Sequence, residues 1–93
     1  MKKTNSHKLA MKLGISKARG MEAVIKAELI SAVLDVIKRE NLTHSEIAER
    51  SGLSRSAVTG ILSGSLQKVT IDRVLRLVEA VDLVARVDVK KVA

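Results

Sequence analysis

Residues 42–64, LTHSEIAERSGLSRSAVTGILSG, constrain the fold of this chain more than any other stretch, because they hold two short helices with almost no chain between them. Thr43 and Glu46 stand three apart in a T-x-x-E capping box, where each side chain satisfies the other's orphan backbone N–H. That box predicts a helix over His44–Ser51. Gly52 is the natural left-handed residue at its carboxyl end, and Leu53 is the apolar residue that tucks back against it. Ser54 then caps a second helix that runs to about Leu62, with Val58, Ile61 and Leu62 on its buried stripe and Gly64 as its stop. Gly52, Leu53 and Ser54 alone join the two. A turn this tight with a glycine in it makes the helices cross steeply and projects the amino end of the second. On this geometry Ala48 faces Val58 and Ile47 faces Ile61.

The flanking sequence supplies what such a pair needs to bury its inner faces. From Met21 to about Glu40 the apolar residues Ala27, Ile30, Val33, Leu34 and Ile37 recur at three and four, the spacing of one helical face. Residues 65–69, SLQKV, read as a linker. Thr70 caps a further helix in which Ile71, Val74, Leu75 and Val78 repeat the pattern, while Asp72, Arg73, Arg76 and Glu79 stay outside; it should end near Asp82. The tail changes period. Ala85, Val87 and Val89 alternate with Arg86, Asp88 and Lys90, the signature of a half-buried strand. No second strand is visible, and a lone strand leaves its backbone groups unpaired. Pairing with the same strand of another subunit is the favoured solution, so a homodimer is expected; the alternative is an edge strand folded against its own helices.

Ninety-three residues fit one small domain. Its charge of +7 is unevenly spread: residues 1–20 hold six basic residues and no acid, whereas residues 21–93 hold eleven basic and ten acidic ones. The expected division is a basic, flexible arm over 1–19 and a folded domain over 20–93. An arm of this kind suits a polyanionic or acidic partner, and equally a solubilising tail. The chain has no cysteine, so no disulfide or thiolate metal site is available, which fits a reducing, cytoplasmic location. No apolar run is long enough for a membrane span, and the start lacks the continuous hydrophobic segment of a secretory signal. The absence of Phe, Tyr and Trp weighs against single-stranded nucleic acid, whose bases stack on aromatic platforms. Duplex DNA passes that test.

Nothing in the sequence supports catalysis. Glu46, Glu49 and Asp72 are scattered on solvated helix faces, the hydroxyls lack a paired base, and no glycine-rich phosphate loop precedes a helix. No cofactor is expected, and no metal either, since His44 has only His7 as a companion.

Taken together, the capping box, turn glycine, second cap and L-x-G ending of residues 42–64 resemble the helix-turn-helix of the Cro/repressor-type regulators of the XRE family. Residues 21–93, with the long first helix and the final ARVDVKK segment, are similar within it to the HigA-type antitoxins. The resemblance implies an all-α, lambda-repressor-like helix-turn-helix bundle of about four to five helices with a C-terminal β-strand. It implies that the helix starting at Ser54 enters the major groove with Arg55, Ser56 and Thr59 outward. Arg55 is the best base reader, because a guanidinium takes guanine O6 and N7 together. Ser56 suits a base or a phosphate, and Thr59 offers its methyl to thymine. Thr43 and His44 match positions that hold the sugar-phosphate backbone, where free N–H groups favour anions. Ser54 belongs with them, and Ser63, Ser65, Gln67 and Lys68 continue the grip along the linker. Gly60 departs from the pattern, since many relatives carry a long polar residue there, and glycine costs about 1 kcal/mol against alanine in a helix interior.

The function that follows is a transcriptional repressor binding an inverted-repeat operator in double-stranded DNA, with autorepression and neutralisation of a ribonuclease-type toxin implied by the resemblance. A protein-interaction module and a non-specific nucleoid-type DNA binder are the alternatives. The near-neutral body speaks against the second of these, which would live on phosphate attraction alone. Arg55 as a plain solvated charge, and His44 as a merely exposed histidine, are the corresponding alternatives at residue level.

Overall fold

The computed structural model describes residues 17–92, so most of the basic arm lies outside the described residues. Four helices follow one another: α1 (Lys17–Glu40), α2 (His44–Ser51), α3 (Arg55–Leu62) and α4 (Ile71–Ala80). Their starts are set by side chains. Thr43, Ser54 and Thr70 all hold extended backbone and accept a hydrogen bond from the N–H three residues on, from Glu46, Ala57 and Arg73. The capping box is complete, because the Thr43 N–H donates to Glu46 Oε1 at 2.8 Å while the Glu46 N–H donates to Thr43 Oγ1 at 3.1 Å.

Their ends are set by backbone. Asn41, Gly52, Gly64 and Asp82 all take positive φ, of 54°, 76°, 99° and 62°. In the left-handed region each turns the chain so that the next N–H groups reach back to the helix's last carbonyls. After α3, Gly64 N–H donates to Ile61 O and Ser65 N–H to Gly60 O; after α4, Asp82 N–H donates to Glu79 O and Leu83 N–H to Val78 O. Both are the paired pattern of a Schellman ending, with Leu83 as the apolar residue that follows.

The core is aliphatic throughout. Ile30, Val33 and Val36 of α1 meet Ile47 of α2, Val58, Ile61 and Leu62 of α3, and Val74, Leu77, Val78, Ala80 and Val81 of and after α4. Ala48, Leu53 and Ile37 pack at its edge. α1 packs on α4, and α2 packs on both α3 and α4, so α2 is held from two sides and fixes where α3 can lie.

Three sequence expectations change. α1 begins at Lys17, four residues before Met21, and its inner face is shifted: Ala27 and Leu34 are exposed, Leu34 by 41 %, while Val36 and Lys26 are buried. In α4 the inward stripe is Val74, Leu77, Val78 and Val81, and Leu75 faces out. α1 carries apolar residues on more than one face, and the single apolar face of α4 is broad, so in each the 3–4 spacing fits two registers and packing selects one. The C-terminal strand is the third correction. There is no strand among the described residues; 83–92 lack regular structure, and Val84, Val87, Val89 and Val92 are 85–90 % exposed. Among the described residues no neighbouring strand takes the ladder hydrogen bonds, so there the alternation has nothing to fold against.

Candidate nucleic-acid interface

α3 is divided cleanly between a sealed and an open side. Val58, Ile61 and Leu62 are buried, and Arg55, Ser56 and Thr59 are exposed. The division follows from spacing: residues 58, 61 and 62 share one helical face, and 55, 56 and 59 share another. Ser54 sits at the head of this open face, its Oγ accepting from the Ala57 N–H at 3.0 Å. As an acceptor there, it keeps its own proton free to donate outward.

The amino end of α2 lies beside that face. His44 Nδ1 is 2.8 Å from Thr59 Oγ1, a side-chain hydrogen bond between the first residue of α2 and the fifth of α3. It joins a residue expected at the DNA backbone to one expected at a base. Thr43, one position earlier, is occupied with the capping box through its Oγ1. The Thr43 N–H that Glu46 accepts, helped by the Thr43 hydroxyl and least by Arg50, holds the Glu46 carboxyl below the ordinary carboxylate range against the opposing effect of desolvation. Glu46 is thus ionised at neutral pH and complements the positive end of the α2 dipole.

On the linker side, Ser63, Ser65, Gln67 and Lys68 are all exposed. Ser63 Oγ donates to Gly60 O at 2.8 Å, so a phosphate would find it donating only after the hydroxyl rotates. The linker is tied down from beneath by Lys26, which is 4 % exposed. Its Nζ donates to Leu66 O at 3.1 Å and lies 3.5 Å from Glu22 Oε2. Leu66 O also accepts from the Val69 N–H at 3.2 Å. Beside this bond is a pocket of about 570 Å³ whose lining includes Arg19, Glu22, Lys26 and Lys68.

Sequence reasoning missed Lys26 and Arg50. Lys26 stands four and seven residues before Ile30 and Val33, in line with the inner stripe, and a lysine in that register was the available signal. Arg50 Nη1 donates to Ala80 O at 3.3 Å, placing a cation on the carboxyl end of α4 and locking α2 to it. The His44–Thr59 bond spans fifteen residues and had no local signal.

Gly60 is half-buried, has no positive φ, and an added Cβ would meet nothing within 4 Å. The chain's own fold does not call for glycine at this position. Among the described residues no group of three or more His, Asp or Glu could hold a metal ion, and no helix is long and apolar enough to cross a membrane.

A family model described as a helix-turn-helix domain matches residues 9–90. No curated protein and no solved structure matches the chain significantly.

Proposed function

The chain belongs to the helix-turn-helix domain family, a class of DNA-binding regulators, and on that premise we propose that it is a sequence-specific repressor that reads operator DNA with α3. The observation that carries this reading is the open face of α3, where Arg55, Ser56 and Thr59 stand exposed directly above a fully aliphatic inner face. Arg55 is the principal base reader, with Ser56 and Thr59 behind it. Thr43, His44 and Ser54 on one flank, and Ser63, Ser65, Gln67 and Lys68 on the other, are the sugar-phosphate contacts. Exposed hydroxyls on both sides of a reading face, with Gln67 and Lys68 on the linker side, match what a duplex presents.

The finer reading is an antitoxin that represses its own promoter and neutralises a ribonuclease-type toxin in the cytoplasm, joining the nucleoid when bound to DNA. It rests on the likeness of residues 21–93 to the HigA-type antitoxins, with the basic arm as the toxin-facing or DNA-facing segment. The protein acts as a homodimer on this reading, supported by the four valines that one chain leaves in water. Exposed apolar residues on a tail with unpaired backbone are what an intersubunit strand pair would cover.

The test is selection from a randomised duplex pool with the intact chain. The expected product is an inverted repeat whose half-sites lie about 34 Å apart, one helical turn. Enrichment of no sequence, with binding that vanishes at moderate salt, would replace the specific reader with a non-specific binder.

A further inference from the structure

We propose that His44 and Thr59 form one recognition unit, in which the imidazole ties the threonine hydroxyl back to α2 so that Thr59 reads DNA through its methyl group. The proposal deepens the DNA-binding reading above and rests on it.

The starting observation is the 2.8 Å contact between His44 Nδ1 and Thr59 Oγ1. Threonine in a helix divides between two χ1 wells, because its hydroxyl has a competing partner in the carbonyl of the preceding turn. The imidazole removes that ambiguity. With Oγ1 held at His44, the methyl carbon occupies a different staggered position, about 120° away around the Cα–Cβ bond. Thr59 is exposed, and it lies one turn after Arg55 on the same open face of α3. Its hydroxyl is therefore engaged within the protein, and the methyl is the part left to meet a base. In the major groove the apolar partner is the C5-methyl group of thymine, which no other standard base carries.

His44 gains a second consequence from the same bond. When the threonine hydroxyl donates to Nδ1, the neutral ring carries its proton on Nε2; in the other tautomer Nδ1 donates to Oγ1 and Nε2 is an acceptor. In the first tautomer Nε2 is a donor beside the amino end of α2. The histidine is thus a positioning residue for Thr59, whichever of the two side chains donates.

The experiment uses the full chain and a duplex obtained from the randomised pool. Each thymine of a half-site is replaced in turn by deoxyuridine, which lacks only the methyl. One position per half-site should lose about fourfold in affinity, the worth of burying one methyl-sized group. The Thr59→Ser variant, which keeps the hydroxyl and lacks the methyl, should bind the thymine and uridine duplexes equally. His44→Ala should blunt the discrimination, and His44→Asn, which keeps a hydrogen-bonding atom near the Nδ1 position, should restore it. Thermal melts of each variant confirm folding independently of DNA. Discrimination that persists in Thr59→Ser, or that is unchanged in His44→Ala, would overturn the proposal, as would an operator with no uridine-sensitive position. Failure to obtain any preferred duplex would instead overturn the DNA-binding reading, and this unit with it.

Discussion

Gly60 sits within α3 between neighbours that would accept a side chain, since a Cβ there meets nothing within 4 Å and its φ is not positive. What remains is the ordinary cost of glycine in a helix, about 1 kcal/mol against alanine. Gly60→Ala should therefore raise the stability of the free protein by about that amount, seen as a higher urea midpoint at unchanged m-value. A variant no more stable than the parent would mean that α3 needs flexibility at its centre. If DNA approaches the backbone closely at Gly60, the same variant will bind duplex more weakly while folding better. In the capping box of α2, the carboxyl of Glu46 is held below its ordinary range in the folded chain. A depressed carboxylate contributes stability above its unfolded value and loses it as pH falls through the folded one. The stability gap between the parent and Glu46→Ala should accordingly be full at neutral pH and narrow in acid. A gap that does not change with pH would sever Glu46 from the cap.

At the scale of elements, the legible parts were those decided within four or five residues. Thr43, Ser54 and Thr70 announce helix starts by bonds to the N–H three residues on, and Gly52 and Gly64 announce ends by backbone freedom, so α2 and α3 could be placed to the residue. Asn41 and Asp82 do the same work with less warning, because a left-handed Asn or Asp is tolerated rather than preferred. Register was legible only in part. α1 carries apolar residues nearly all round, and whether Leu34 or Val36 turns inward depends on where α4 lies. Lys26 illustrates the same limit. It is buried because the Leu66 carbonyl waits for it across forty residues, a pairing visible only once the linker has folded onto α1. In the candidate interface, outward placement of Arg55, Ser56 and Thr59 followed from helical spacing alone, whereas the His44–Thr59 bond required the crossing of α2 on α3.

For the whole molecule, the tail is where a one-chain description is least complete. Val84, Val87, Val89 and Val92 remain in water, although Ala85, Val87 and Val89 alternate with Arg86, Asp88 and Lys90 as in a strand. Such a segment finds its ladder in a second copy on the reading proposed here. Truncation before Leu83 should leave the aliphatic core folded and yield monomers in sedimentation analysis, and a truncated chain that remains dimeric would refute strand pairing. On the proposed reading, dimer and reading face together define the function, since two copies of α3 about 34 Å apart are what an inverted repeat requires. The most direct test of that account is the affinity of Arg55→Ala for the duplex selected by the intact chain. Arg55 is exposed and supports no part of the core, so the variant should fold normally and lose about 1 to 3 kcal/mol of binding, with specificity relaxed at one base pair in each half-site. Undiminished binding with the same base preference would contradict the claim that α3 reads DNA.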